Sequence, residues 1–336
     1  MELRAIARPA SAGSHAALFQ VYVNKLGHII HSSVHEFYGM ANKNVGDAFL
    51  LSWKLCDGVL PGFSDFTDTA TEEERLRANE STKCIAIHPN TRAKRQITPS
   101  EMADSSINAF LRCMIDLENE NETGCLAEYA TYEAVLKRFG PGFRIKMGFG
   151  MHAGWAVEGA IGSELKIDAT YLSPHVEMSD RLENASKIWG VKLNMSHWLV
   201  NLTSPTFRKH IRAIDCIMAE GVPVPITVFT YDVKNYKPKF GTQVYDDRTG
   251  LPRLTDWNDD EFSEIQEGLH GNFLPTFRRG FDAYIKGEWE TSRGFFEEAL
   301  RLCAKDGPTM YLLNTMEELH WQSPKDWKGY HELREF

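Results

Sequence analysis

The chain has 336 residues, 43% of them hydrophobic, enough to bury a sizeable core in one large domain with a smaller companion. A formal charge of −9 excludes a general attraction for nucleic acid or an anionic membrane, so any partner has to be argued from a site. Six dispersed cysteines without a CxxC pair, no apolar run near the ~18 residues that cross a bilayer, and an opening without a secretory apolar core point to a reducing, cytoplasmic setting.

Residues 1–15 carry no clear element and are expected to be disordered or replaced. From Ala16 to about Phe37 the apolar residues Leu18, Phe19, Val21, Tyr22, Leu26, Ile29, Ile30 and Val34 fall at helical spacing, which predicts an amphipathic helix ending before Gly39. The stretch "NVGDAFLLSWKL" reads as strand, turn and strand, turning at Gly46-Asp47. Residues 56 to about 100 are polar and aperiodic, as in a surface insertion. Pro99 and Ser100 open a long helix, and "LAEYATYEAVLKRFG" reads as a second one stopping at Gly140.

"FRIKMGFGMHAGWAVEGAIGS" fits two strands bending at His152 to Gly154. "KIDATYLSPHVEMSDRLENASKIWG" passes from a strand into a helix that begins after Pro174. A short helix in "HWLVNLTSPTFRK" precedes a closing pair of strands in "IRAIDCIMAEGVPVPITVFTYDV". Helices and strands alternate through residue 235, as in an α/β layered sheet. A linker over 236–260 leads to amphipathic helices in 261–336, whose break at "GEW" is similar to a single tetratricopeptide-like hairpin; one repeat cannot cover its own face and should pack on the α/β part.

Four of these stretches, in order across residues 17 to 235, carry a resemblance. "KNVGDAF", "MGFGMHAGWAVEGAIGS", "VEMSDRLENASKIWG" and "IRAIDCIMAEGVPVPITVFTYDV" resemble the motifs of class III nucleotidyl cyclase catalytic domains. The resemblance implies a ferredoxin-like α+β sandwich, a central mostly antiparallel sheet flanked by helices. It also implies an active site shared between two cyclase domains, in a homodimer or heterodimer. There Mg²⁺ or Mn²⁺ held by two Asp residues activates a nucleoside triphosphate for closure to a 3′,5′-cyclic nucleotide and pyrophosphate.

Carried over residue by residue, Asp47 matches the second metal-binding Asp and Lys43 the Lys that reads adenine. Thr170 matches the partner base contact and Arg181 the Arg on the phosphates. Lys43 and Thr170 imply ATP in preference to GTP. The chain also departs from the family. No "F-x-D-I" strand precedes the first helix, so the first strand, with its metal Asp, is expected to be missing. Glu177 stands where the family has a ribose-orienting Asn, and Glu220 falls where a phosphate-binding Lys belongs. These departures imply a catalytically inactive module that dimerises with or regulates an intact cyclase as the alternative to an enzyme.

Outside the motifs, His28, His31 and His35 recur along the first helix without an acid at ligand spacing, and read as a polar helix face rather than a metal site. His152, inside a strand motif, is expected to be packed rather than catalytic.

Overall fold

The computed structural model describes residues 2–9, 16–45, 48–55, 82–87, 94–238 and 259–333. Strand β1 (Glu2–Pro9) leads into helix α1 (Ala16–Glu36), followed by β2 (Met40–Val45) and β3 (Ala48–Lys54). Within the insertion, β4 (Cys84–Ile87) and β5 (Lys94–Ile97) pair as a small separate hairpin. Next come α2 (Pro99–Thr123), α3 (Cys125–Tyr129), α4 (Glu133–Phe139), β6 (Met147–Gly154), β7 (Val157–Ser163) and β8 (Lys166–Leu172). Helices α5 (Pro174–Asn184) and α6 (Ser186–Trp189) precede β9 (Leu193–Ser196), the short helices α7 (His197–Val200) and α8 (Pro205–Arg208), β10 (Ile211–Ala219) and β11 (Ile226–Tyr231). The tail holds α9 (Asp259–Ile265), α10 (Phe273–Ile285), α11 (Trp289–Leu302), α12 (Gly307–Glu318) and β12 (His331–Leu333).

The central sheet has eight strands in the order β12-β10-β11-β9-β6-β1-β3-β2. Only the β6–β9 and β10–β12 pairs are parallel. This is the mixed α/β architecture, a mostly antiparallel sheet flanked by helices, that the motifs imply. One expectation is corrected: a strand does precede the first helix. "ELRAIARP" lies between β3 and β6, pairing antiparallel with both. Those two strands are buried, and without β1 each would keep a row of unpaired backbone groups inside the protein.

Alternation along β6 explains the layers. Met147, Phe149, Met151 and Ala153 share the face toward α2, where the Phe149 and Phe110 rings lie 5.2 Å apart. Gly148, Gly150, His152 and Gly154 share the opposite face, toward α5. Helices α1 and α2 therefore cover one side, with Trp53 donating its indole N–H to the carbonyl of Phe37 at 2.8 Å, and α5 covers the other. Several boundaries differ from the sequence reading: the short helix expected in "HWLVNLTSPTFRK" is two, α7 and α8, and the helix after Pro174 is divided into α5 and α6. β6 runs straight through Gly154, so the bend falls at residues 155–156. The helix expected up to Gly140 is broken at residues 130–132 into α3 and α4, although Gly140 does end it, at φ 79°.

Helix α2 starts on a capping box. Thr98 accepts from the Glu101 amide at 3.2 Å and Glu101 accepts from the Thr98 amide at 2.6 Å, with Pro99 in the first turn. Its Asp104 is buried and accepts the Ser204 amide at 2.9 Å. Burial outweighs that hydrogen bond and pushes its carboxyl up to about 6 from an ordinary 3.8. The folded state thus holds the proton more tightly. Stability is full below 3.8 and falls as pH rises through about 6, by on the order of 2–3 kcal/mol. Asp104→Asn keeps the acceptor, so urea denaturation at a series of pH values should show this slope flattened in the variant.

A buried cation helps fasten the tail to the sheet. Arg212 of β10, 2% exposed, meets Asp232 at 2.7 and 3.0 Å and pairs with both oxygens of Asp306, the N-cap of α12. Its guanidinium also lies 5.0 and 4.3 Å from the ring centres of Phe273 and Phe277 in α10. The helices α10 and α11 are joined by a turn at Gly287 with φ 80°, and bury Phe277, Phe281, Trp289 and Phe296. Strand β12 then returns beside β10, where His331 bonds Asp215 at 3.0 Å and the indole of Trp189 donates to the same carboxylate at 2.9 Å.

Candidate nucleotide site

Helix α5 carries two of the residues singled out by sequence. Pro174 sits in its first turn and Ser173 caps it, accepting from the His175 amide at 3.1 Å and donating to the Trp155 carbonyl at 2.6 Å. The inner side of α5 rests directly on β6. A Cβ on Gly150 would lie 2.1 Å from the carbonyl oxygen of Ser179 and 2.4 Å from the amide nitrogen of Glu183. A Cβ on Gly154 would strike the His175 ring at 2.1 Å. The spacing G-x-G-x-H-x-G is thus the footprint of a helix lying against a strand.

At its one large side chain this footprint is polar. His152 Nδ1 lies 2.7 Å from Ser196 Oγ, and its Nε2 lies 2.7 Å from His175 Nδ1. Both rings are buried, as expected for His152, and they tie the first turn of α5 to β6 and β9. His175 was not singled out from sequence. The period-two glycines followed by His152 were the signal, because a strand stripped of side chains at alternate positions announces a close-packed helix.

On the outer side of α5, Glu177 and Arg181 face solvent one turn apart. Glu177 Oε1 accepts from Arg181 at 2.7 Å, and the other arm of the guanidinium donates to the carbonyl of Glu220, just past β10, at 2.7 Å. Glu177, Arg181 and Glu220, 39 to 43 residues apart in their extremes, are therefore gathered at one spot. Any anion drawn to Arg181 would compete with Glu177 and the Glu220 carbonyl for the guanidinium. Replacing Glu177 with Asn removes one ion-pair partner and one negative charge. Affinity for magnesium ATP is expected to rise about tenfold at low salt, less at high salt, with stability changed by no more than about 0.5 kcal/mol. Calorimetric titration of both proteins with ATP measures it.

Lys43 is exposed on β2, the edge strand of the sheet. Thr170 is buried on β8, opposite Gly159 in the β7–β8 hairpin. The next residue, Tyr171, holds that hairpin against the sheet: its hydroxyl lies 3.3 Å from Ser52 Oγ, and it packs with Ala48, Leu50 and Val176. Strand β2 also neighbours β8, and Val176 joins β3 and β8 to the start of α5. Asp47 lies outside the described residues.

A two-carboxylate magnesium site is not supplied by the described residues. The end of β1 beside the β2–β3 turn reads Ala7, Arg8, Pro9, with Ala7 opposite Phe49. The one acid of β1, Glu2, pairs with Lys54 at the other end of the strand. His31 lies near the Phe49 ring at 5.6 Å, and burial followed by the charge of His28 lowers its pKa, in keeping with a packed helix face. No cluster of three or more metal-ligating side chains occurs among the described residues, and no helix there is long and apolar enough to cross a membrane.

No family model and no curated protein matches the chain. Among solved structures, it is similar to a bacterial light-regulated adenylyl cyclase at 16% identity, with 69% of this chain and 89% of that one covered and a TM-score of 0.43. It is similar to the adenylyl cyclase CyaB from P. aeruginosa at 12% identity, over 70% of this chain and 94% of that one, TM-score 0.43. The guanylate cyclase domain of RhGC from Catenaria anguillulae, solved with GTP, is similar at 12% identity over 70% and 97%, TM-score 0.43.

Proposed function

We propose that the chain is a nucleotidyl cyclase-type domain of intracellular cyclic-nucleotide signalling. It takes ATP in preference to GTP and completes its site with a second cyclase domain, in a homodimer or a heterodimer. The observation that carries this reading is the joining of β3, β8 and α5 through Tyr171 and Val176, with β2 beside both β3 and β8. This supports the motif resemblance, in which Lys43, Thr170 and Arg181 serve one kind of site. The β7–β8 hairpin supports the dimer, because it leaves Leu165 96% and Ile167 69% exposed, apolar surface suited to a protein partner. The test is formation of cyclic product from ATP or GTP with Mg²⁺ or Mn²⁺, by the chain alone and mixed with an intact cyclase domain. Absence of product in both arms ends the enzymatic reading.

A second reading, a cyclase-like module that regulates or dimerises without turnover, is favoured by the Glu177–Arg181 ion pair and the acid-free end of β1. Turnover by the isolated chain that Asp47→Ala abolishes would exclude it.

A further inference from the structure

A cavity of about 170 Å³ lies where the tail meets the sheet, just past the end of α6. Its walls come from the segment after α6, the end of β11 and the start of α12, and they bring together Lys192, Lys234 and Lys305 with Asp232 and Asp306. Both carboxylates are already engaged by Arg212. Lys192 donates one bond to the Tyr236 hydroxyl at 2.8 Å and lies 4.4 Å over its ring, which fixes the ammonium with two N–H groups to spare. Counting Arg212, four cations face two carboxylates, a positive spot on a chain whose net charge is −9.

We propose that this cavity binds a small phosphate-bearing anion that bridges the tail to the sheet. Its size admits a phosphate or diphosphate group. Lys305 comes from the tail and Lys192 and Lys234 from the sheet domain, so an anion between them neutralises a repulsion that otherwise opposes docking. The site is separate from the candidate nucleotide site. It borders the Ile211–Tyr231 end of the β10–β11 pair, whereas Glu220 follows the other end of β10, roughly 25 Å away along the strand.

The experiment is calorimetric titration of the full chain with metal-free pyrophosphate, and separately with ATP. The proteins are wild type, Lys234→Ala/Lys305→Ala, the matching double Arg variant, and Arg181→Ala. The proposal expects saturable pyrophosphate binding that weakens at least tenfold in the double Ala variant. Binding should survive in the double Arg variant and be unchanged in Arg181→Ala. ATP competing with pyrophosphate in the Arg181→Ala protein would identify a nucleotide tail as the source of the phosphates; no competition would identify the free anion. The inference is overturned if wild type shows no saturable pyrophosphate binding, or if binding persists in the double Ala variant. Binding lost in Arg181→Ala and kept in the double Ala variant places the anion at α5, overturning the cavity site while leaving the cyclase reading intact. Lys234 and Lys305 are exposed, so unliganded melting temperatures should match and confirm that each variant is folded.

Discussion

Arg212→Met should lower the stability of the protein by about 3–5 kcal/mol, the usual cost of removing one partner from a buried ion pair. The loss comes less from missing attraction than from what stays behind: Asp232 and Asp306, both buried, would lose the guanidinium that pairs them and keep only the more distant charge of exposed lysines such as Lys234. Burial raises the carboxyl of Asp232, but the Arg212 guanidinium more than offsets this and holds it below the ordinary 3.8. Its contribution is therefore present above 3.8 and is lost as pH falls through the lower folded value. A triple variant, Arg212→Met with Asp232→Asn and Asp306→Asn, should recover much of the stability. It strands no charge, and Asn still caps α12. Denaturant unfolding of the two variants measures both effects. If the single and triple variants were equally destabilised, packing on Phe273 and Phe277 rather than charge would be the cause.

Gly150→Ala should cost about 2–3 kcal/mol and disturb the candidate nucleotide site as well. The new methyl group would meet backbone atoms of α5 at 2.1 and 2.4 Å, and backbone cannot swing aside as a side chain can. The helix has to lift from β6, carrying Glu177 and Arg181 with it. Nucleotide affinity should therefore fall together with melting temperature. Gly159→Ala is the control: nothing lies within 4 Å of its added Cβ on the exposed β7, and stability should change by less than about 0.5 kcal/mol.

The parts of the fold that were legible in the sequence are those set by local chemistry. Pro99 and Pro174 mark helix starts, Gly140 and Gly190 take left-sided φ values at helix ends, and glycines of β6 recur with the period of a strand. Strand β1 was not legible because nothing within "ELRAIARP" demands a strand. Its conformation comes from the two partners that flank it. The Arg212 network was equally hidden, since Asp306 is 94 residues away and no spacing rule reaches that far. Of the candidate site, the motifs supplied Lys43, Thr170, Glu177, Arg181 and Glu220. They did not show that Glu177 and Glu220 would both hold Arg181, because that depends on where the β10–β11 turn comes to rest beside α5. Asp47 remains an inference from its motif.

The position of β12 makes the two margins of the sheet unequal. Along one margin β10 is sheathed by residues 331–333, and the His331–Asp215 bond pins that sheath in place. Along the other, β2 pairs, among the described residues, with β3 alone, and its outer edge is the border that bears Lys43. Growth of the sheet by an added strand, from a peptide ligand or from another molecule in an aggregate, is thereby directed to β2. A ligand that enlists the β2 margin in this way would reach Lys43 without disturbing the tail.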